Sequence, residues 1–502
     1  MNSRYLAEEP VTGQPQDITV YPVYAVPRGI TFEAYTEWKI VTAEGTLILS
    51  FPLLTPAKIQ EIATMVKTRR TAYLARLGCG RIVDIIDAAV QQWLNPQYEL
   101  RRRAESWLPS ITGYDAGMIK LELKRYMRLF RRKELLRFLD EELESAALLD
   151  EFRPRKSGGM SRAYGPELIF QVSSGNVPGL PVWSLVMGLL VKSASLMKTS
   201  SSEPLMAVLF AESLRQIDPE LADCIAVLPW RSSCHELEAS AMEASEMVVA
   251  YGSDEAVRQI RSRLPDHKRL VSYGHKISFA MVGKEALTPD RYVDTVYKLV
   301  KDAGTYDQQS CLSPHSVFVE EGGAVSARQV AQLLAAELQR LQLKHPLAPI
   351  TREEAQAIQA LRSRYELAAL GGSGGSVYGS KPGTEWTVVY HPGGELMASP
   401  LNRTVHVISC PSLEEIIPSL SRHRRYLQSA GIAVGPERLQ RLADALGEAG
   451  INRICAIGQM TRAAAGWHHD GRYNLLDLLR WTDLEWSAEQ NAESYDPDAE
   501  QG

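Results

Sequence analysis

One cysteine with polar neighbours is the residue of this chain best suited to chemistry. Cys311 lies in residues 305–314, TYDQQSCLSP, just before the apolar run at 316–319. Far upstream, Asn176 lies in the turn-forming segment 171–181, QVSSGNVPGLP. A thiol can attack an acyl carbonyl, and a side-chain amide can stabilise the oxyanion that results. Together these residue types predict an enzyme that carries its substrate covalently on sulfur.

Two turns carry groups that suit a nucleotide. Ser173, Ser174 and Gly175 follow one apolar run, and Gly252 and Ser253 follow another. Helix N-termini at the ends of parallel strands bind phosphates through their backbone N–H groups. The first turn lacks a G-x-G-x-x-G fingerprint, and either turn alone is more typical of an ordinary helix cap.

Three other positions could take part in a reaction. Lys198 precedes the hydroxyl run 199–202, which suits a sugar or a phosphate, although alone it is simply a capped helix start with a lysine. His275 precedes a strand and could be an acid–base group or a structural residue. His468 and His469 are adjacent, so they point to opposite sides of an extended chain, and no third ligand is suitably spaced. No metal site is predicted.

Composition excludes several classes of protein. The 502 residues suggest two to four domains, and 45% hydrophobic residues can fill large cores. The net charge of −5 argues against a dedicated nucleic-acid binder. The chain start lacks the pattern of a signal peptide, and the most apolar stretch, 177–191, is too short to span a bilayer. A cytoplasmic protein without a membrane span is expected.

The six cysteines are scattered along the chain, with no C-x-x-C pair. Five of them are interpreted as small buried hydrophobic residues in a reducing compartment.

The elements that must position these residues are strands alternating with helices. Residues 15–55 read as strands and turns, 57–76 as a helix, and 116–149 as one long helix with a basic centre at 124–133. From residue 167 onward the pattern predicts a parallel, doubly wound α/β sheet. Its apolar strands are 168–172, 194–198, 225–228 and 247–251, with helices at 181–192, 203–216 and 255–264.

The basic centre at 124–133 has two interpretations. It could contact anionic phosphates or an acidic carrier protein. The simpler interpretation is a solvated helix face, because acidic residues follow it directly.

Five segments, in order, resemble the acyl-CoA reductase family typified by the fatty-acid reductase of bacterial bioluminescence. That family is a divergent branch of the aldehyde dehydrogenase superfamily. The resemblance covers roughly residues 100–485 and implies a Rossmann-like cofactor domain, an α/β catalytic domain and a small oligomerisation element. The matching segments are SGNVPGLP (174–181), YGHK (273–276), DQQSCLSP (307–314), SPLNR (399–403) and WHHDG (467–471).

With this family in view, the expected domain boundaries follow. They are an N-terminal region of strands and helices (1–150), a Rossmann-like NADP(H) domain (151–271), a catalytic domain (272–435), a C-terminal α/β segment (436–486) and a disordered acidic tail (487–502).

The resemblance also implies roles for individual residues. Cys311 matches the nucleophile, and Asn176 matches the amide that forms the oxyanion hole with the cysteine N–H. Lys198 matches the lysine that binds the adenosine ribose. Gly252 and Ser253 match the turn near the pyrophosphate. Ser173, Ser174 and Gly175 complete the expected cofactor-binding set.

Two departures from the superfamily pattern refine the expected activity. Ser272 occupies the position of the glutamate that activates water in ordinary aldehyde dehydrogenases, so an acyl-enzyme should survive hydrolysis. Ser201 occupies the position of the glutamate that binds the ribose hydroxyls in NAD-preferring members. A small neutral residue there leaves room for a 2′-phosphate, which favours NADPH.

The resulting hypothesis is an NADPH-dependent reductase that converts an acyl thioester to an aldehyde. The thiol of Cys311 should have a lowered pKa, with help from His275 or a helix N-terminus. The acyl donor would be acyl-CoA or an acyl carrier protein, with a possible acyl-transferring partner protein and a homo-oligomeric assembly. Two alternatives remain: an NAD(P)-dependent aldehyde dehydrogenase, and a non-catalytic docking subunit of an acyl-transfer complex.

Overall fold

The computed structural model describes residues 18–42 and 44–495. Its strands are β1 (Ile18–Pro22), β2 (Tyr35–Thr42), β3 (Gly45–Pro52), β4 (Arg153–Pro154), β5 (Met160–Tyr164), β6 (Leu168–Val172), β7 (Ala194–Thr199), β8 (Ile225–Pro229), β9 (Met247–Tyr251), β10 (Arg269–Tyr273), β11 (Ile277–Val282), β12 (Pro314–Glu320), β13 (Ser376–Gly379), β14 (Thr387–His391), β15 (Thr404–Cys410), β16 (Leu427–Ala433), β17 (Arg453–Ala456) and β18 (Arg480–Leu484).

The same part of the chain forms these α-helices: α1 (Pro56–Ala72), α2 (Cys79–Leu94), α3 (Glu99–Thr112), α4 (Ala116–Met127), α5 (Arg132–Leu143), α6 (Leu180–Leu190), α7 (Met206–Ile217), α8 (Pro219–Ala222), α9 (His235–Ala244), α10 (Asp254–Arg263), α11 (Tyr292–Gly304), α12 (Ala327–Lys344), α13 (Arg352–Leu370), α14 (Ile417–Leu420), α15 (Pro436–Ala449) and α16 (Trp486–Glu493).

The described residues divide into two compact units. The N-terminal unit comprises 18–42, 44–107, 122–274 and 472–495, and the C-terminal unit comprises 108–121 and 275–471.

A five-stranded parallel sheet with order β10-β9-β6-β7-β8 forms the centre of the N-terminal unit. Strands β6, β7, β8 and β9 are buried along nearly their whole length. Their sequences are continuous apolar runs rather than alternating ones, as expected when both faces of a sheet are covered. The chain leaves β6 in one direction through β7 and β8 and returns on its other side with β9. The carboxyl end of β6 is therefore the topological switch point, where such sheets bind ligands.

The C-terminal unit contains a seven-stranded sheet with order β13-β14-β15-β12-β11-β16-β17, in which only β13 runs antiparallel to its neighbour. The central strands β11 and β12 are buried at every position. Because they are parallel neighbours, the residues that precede them lie at the same edge of the sheet. His275 precedes β11 and Cys311 precedes β12, so the fold brings both to this edge.

Two small sheets complete the N-terminal unit. One has the order β1-β3-β2, and the other, β18-β5-β4, joins the end of the chain to residues 153–164. Within the described residues, no helix is long and apolar enough to cross a membrane.

The long helix expected over 116–149 is interrupted. A short 3-10 turn at Arg128–Phe130 separates α4 from α5, and Arg131 is extended. The reason is a tertiary contact, because the carboxylate of Asp87 accepts a hydrogen bond from the backbone N–H of Arg132 at the start of α5. Three of the six cations at 124–133 form ion pairs within the N-terminal unit, which favours the simpler interpretation of the basic segment.

Two further expectations need correction. Disorder was expected from residue 487 onward, but α16 occupies the first part of that segment; residues 496–502 lie outside the described residues. All six cysteines are free, but Cys234 is exposed rather than buried, because it lies on the surface turn that starts α9.

Candidate active site

Cys311 follows a backbone turn of unusual conformation in the C-terminal unit. The 3-10 segment Thr305–Gln308 places Tyr306, Asp307 and Gln308 in the left-handed region, with φ of 49°, 52° and 68°. Residues other than glycine rarely adopt this conformation, and each costs about 1–3 kcal/mol unless its surroundings enforce it. Such strained segments cluster at functional sites.

A second left-handed run, at 401–403, braces this turn. Both runs are buried, and they are connected by side-chain hydrogen bonds rather than by a sheet. These bonds connect two of the segments that carry the family resemblance, 307–314 and 399–403. The connecting bonds are Arg403 Nε to Asp307 Oδ1 (2.8 Å), Gln308 Nε2 to Thr404 O (2.9 Å), Thr404 N to Gln308 Oε1 (2.8 Å) and Gln309 Nε2 to Asn402 Oδ1 (2.9 Å).

Cys311 itself is held through its main chain. The hydroxyl of Ser278, on β11, donates a hydrogen bond to the carbonyl oxygen of Cys311 (2.7 Å). Lys276 lies two residues before Ser278, and its ammonium group forms an ion pair with Asp470 (Nζ–Oδ2, 3.4 Å). The thiol therefore lies in a polar environment of fixed charges, although the residue is only partly exposed.

The expected lowering of the Cys311 pKa is wrong. Burial, and to a smaller extent the negative charge of Asp470, raise the pKa of this thiol to about 12. The positive charges of Lys276 and Arg453 lower it, but less than burial raises it. Desolvation disfavours the thiolate, so the free site stores the nucleophile as a thiol.

This pKa predicts how Cys311 reacts with an alkylating reagent. The thiolate is the reactive form, so the alkylation rate should rise about tenfold per pH unit from pH 7 to 10, without levelling off. Asp470→Asn removes a negative charge, lowers the pKa and should speed alkylation at each pH, whereas Lys276→Met should slow it. Peptide mass spectrometry after timed iodoacetamide treatment measures the rate at Cys311, and a plateau near pH 8 would contradict the raised pKa.

His275 is exposed and lies beside a buried histidine. Its ring centroid is 6.3 Å from that of His315 and 6.5 Å from that of Tyr426. Nδ1 of His315 accepts a hydrogen bond from the backbone N–H of Ser399 (3.0 Å), so the proton of the neutral ring resides on Nε2. Burial and the neighbouring His275 lower the pKa of His315 to about 4. An acid–base role for His275 stays a prediction.

The turn predicted to contact the cofactor follows β6 in the N-terminal unit, at the switch point of the sheet. The hydroxyl of Ser174 donates to Oδ1 of Asn176 (2.8 Å), which fixes the orientation of the amide, and Ser173 donates to the carbonyl oxygen of Lys198 (3.2 Å). Gly175 is required here, because a Cβ at this position would overlap the hydroxyls of the 200–202 loop. The two loops therefore form one surface at the carboxyl ends of β6 and β7.

Lys198 is less accessible than expected. Its side chain is buried at the end of β7, where Nζ forms an ion pair with Glu238 (3.0 Å) and a hydrogen bond with Ser232 (2.9 Å). Ser201, three residues later, is exposed. Glu238 could not be singled out from the sequence, because a glutamate in the first turn of a helix is ordinary.

The second expected cofactor turn follows β9, the neighbour of β6. Gly252 precedes Ser253, whose hydroxyl accepts a hydrogen bond from the N–H of Ala256 and caps α10 (3.2 Å). On the next strand, Ser272 is partly buried, and its hydroxyl accepts a long hydrogen bond from Arg261 (3.5 Å). The carboxyl ends of β6, β7 and β9 thus present hydroxyls, a lysine and a helix N-terminus, which fit a phosphorylated dinucleotide.

The fold groups the predicted residues in two sets. The C-terminal unit brings Cys311 and His275 to one sheet edge, and the N-terminal unit brings the remaining predicted residues to another. Sequence reasoning missed Ser278 and Asp470, which act on Cys311 from other elements. Among the described residues, no group of three or more histidine, cysteine, aspartate or glutamate side chains is arranged to hold a metal ion.

The fold is that of the aldehyde dehydrogenases. The chain aligns with NADP-dependent glyceraldehyde-3-phosphate dehydrogenase from Bacillus halodurans C-125, complexed with NADP, at a TM-score of 0.71 and 16% identity, over 93% of this chain and 99% of that one. Aldehyde dehydrogenase 21 from Physcomitrella patens aligns at a TM-score of 0.69 and 16% identity, over 93% and 98% of the two chains.

Within this fold class, the chain belongs to the acyl-CoA reductase (LuxC) family, whose model matches residues 74–481. Similar proteins include the long-chain acyl-protein thioester reductases of Vibrio harveyi (26% identical over 418 residues, 82% of this chain and 84% of the relative) and of Aliivibrio fischeri (26% over 420 residues, 82% and 83%). The family and fold implied by the sequence motifs are confirmed, and the chain is an acyl-reducing oxidoreductase.

Proposed function

We propose that this enzyme reduces an acyl thioester to the aldehyde through an acyl-enzyme on Cys311, with NADPH as reductant. The observation that carries the proposal is the braced turn before β12, which presents a cysteine on a strained backbone held by side-chain hydrogen bonds. Ser272 supports it further, because this position holds no carboxylate that could activate water for hydrolysis.

The chain's own residues account for the acyl transfer. The sulfur of Cys311 attacks the thioester carbonyl, and the thiol proton passes to the sulfur of the departing CoA or pantetheine. The Asn176 amide and the Cys311 N–H are the proposed donors to the oxyanion, and His275 is the proposed acid–base group. NADPH, when bound, would supply the hydride that reduces the acyl group. Expulsion of the Cys311 thiolate then frees the aldehyde, and a proton from water restores the thiol.

The proposed cofactor residues share the carboxyl edge of the parallel sheet in the N-terminal unit. The loop at 173–175 and the turn Gly252–Ser253 suit the pyrophosphate, through backbone N–H groups and the start of α10. Lys198 is proposed to bind the adenosine ribose, and Ser201 leaves room for the 2′-phosphate. The Rossmann-like domain over 151–271 stays a proposal on this basis.

The acyl donor is proposed to be a long-chain acyl group on a protein thiol, with acyl-CoA as a second donor. The curated relatives are named for long-chain acyl-protein thioesters. Purified enzyme incubated with NADPH and a panel of acyl-CoAs and acyl carrier proteins tests this. NADPH oxidation together with aldehyde formation supports the proposal and ranks the donors. Absence of both, with no acyl label on Cys311 by intact-mass analysis, would overturn it.

Ser272→Glu should convert part of the aldehyde product into free acid. A glutamate at this position restores the base that the superfamily pattern uses to activate water, and general-base catalysis contributes roughly 10²–10⁴-fold to such steps. We expect the ratio of acid to aldehyde to rise at least about tenfold. Ser272→Gln, which has the same size but no base, is the matched control and should leave the ratio unchanged. Equal ratios in both variants would contradict the role given to Ser272.

Three expectations about the whole protein stay predictions: a homo-oligomeric assembly, a cytoplasmic location and an acyl-transferring partner protein. Sedimentation of the purified protein tests the first, fractionation of source cells tests the second, and co-purification tests the partner.

A further inference from the structure

A buried carboxylate forms an ion pair with the lysine that is expected to bind the cofactor ribose. Glu238, in the first turn of α9, forms ion pairs with Lys198 (3.0 Å) and with Arg263, the last residue of α10 (2.8 Å). The side chains of Lys198 and Glu238 are 5% and 3% exposed, whereas that of Arg263 is 28% exposed. Two cations therefore share one carboxylate, and the more accessible cation is Arg263.

Arg263 also contacts a histidine, and the three charged groups of this cluster have a net positive charge. Nη1 of Arg263 lies 2.6 Å from Nδ1 of His235. A guanidinium can only donate, so this ring nitrogen accepts. Lys198, Glu238 and Arg263 together carry one positive charge.

This arrangement changes how the cofactor preference is explained. The small residue Ser201 removes a carboxylate from the position three residues after Lys198, but Glu238 brings another to the same lysine from a different helix. Without compensation, that carboxylate would repel a 2′-phosphate as the missing glutamate would. Arg263 supplies the compensation, because a second cation beside Glu238 leaves the cluster with a net positive charge.

We propose that Arg263 determines the preference for NADPH by offsetting Glu238 beside Lys198. The inference rests on the proposed NADPH dependence and deepens it. It implies opposite effects for two neighbouring residues: loss of Arg263 should weaken binding of a 2′-phosphate, and loss of the charge on Glu238 should strengthen it. Loss of Arg263 should leave the binding of a nucleotide that lacks this phosphate unchanged.

Calorimetric titration of the full-length protein with 2′,5′-ADP and with 5′-AMP tests this without requiring turnover. For Arg263→Met, we expect the dissociation constant of 2′,5′-ADP to rise about tenfold or more, with that of 5′-AMP unchanged. For Glu238→Gln, we expect tighter 2′,5′-ADP binding, and Arg263→Lys should resemble the wild type because it keeps the charge. Arg258→Met is the matched control, since Arg258 is exposed on the same helix and pairs with Glu255.

The outcomes separate this inference from the function it rests on. Equal losses for both nucleotides in Arg263→Met, or no loss for either, would overturn the role of Arg263 even if the wild type reduces acyl thioesters with NADPH. If Arg263→Met does not fold, as judged by circular dichroism, the opposite shift in Glu238→Gln decides the question. A wild-type protein that binds 5′-AMP as tightly as 2′,5′-ADP would overturn both the inference and the NADPH dependence.

Discussion

Replacing Cys311 with alanine is expected to abolish both acylation of the enzyme and oxidation of NADPH. The proposed reaction passes through a covalent bond to this sulfur, so an alanine enzyme has no path to the acyl intermediate. Loss of a nucleophile typically lowers turnover by several orders of magnitude, to about the level left by binding and oxyanion stabilisation alone. Intact-mass analysis after incubation with an acyl-CoA, beside the NADPH assay, measures both effects.

The matched control for this variant is Cys234→Ala, because Cys234 is the exposed thiol of the chain. It should be acylated and should turn over like the wild type. Cys311→Ala should also retain nucleotide binding, since the proposed cofactor residues all lie in the N-terminal unit. Normal reductase turnover in Cys311→Ala would disprove the mechanism, whereas acyl label on Cys234 alone would show that labelling reports exposure rather than catalysis.

The parallel sheet of the N-terminal unit could be predicted from sequence because local signals sufficed. The strands β6, β7, β8 and β9 are short apolar runs, and each is followed by a helix. The motif around Asn176 likewise predicts a tight turn. Gly175 is required there because the loop at 200–202 approaches it closely. Continuous apolar runs identify such strands because a parallel sheet is buried on both faces.

The contacts that tune the site could not be predicted, because their partners are distant in sequence. Glu238 is 40 residues from Lys198, and Arg403 is 96 residues from Asp307. The break between α4 and α5 has the same origin, since Asp87 is 45 residues from Arg132, whose backbone N–H donates to its carboxylate. The raised pKa of Cys311 could not be predicted from the sequence either, because it depends on the degree of burial and on the nearby charge of Asp470.

Asp307→Asn is expected to destabilise the C-terminal unit and to impair the nucleophile at the same time. Asp307 is 1% exposed, and its carboxylate neutralises the guanidinium of Arg403, which is fully buried. Removing one partner of such a pair leaves an uncompensated buried charge, which costs about 3–5 kcal/mol. The same pair holds the left-handed run before Cys311, so the turnover number should fall with the free energy of unfolding. Urea denaturation and the NADPH assay measure the two quantities.

The pair can be distinguished from a general loss of packing by a double substitution. When Arg403→Met is added to Asp307→Asn, no unpaired buried charge remains, so part of the lost stability should return. Turnover should stay low, because the bond between Asp307 and Arg403, which helps to connect the runs at 306–308 and 401–403, is still missing. Glu395→Gln, which breaks the exposed pair with Arg422, should change neither quantity. Recovery of turnover together with stability would show that the pair serves folding alone and that other contacts hold the turn before Cys311.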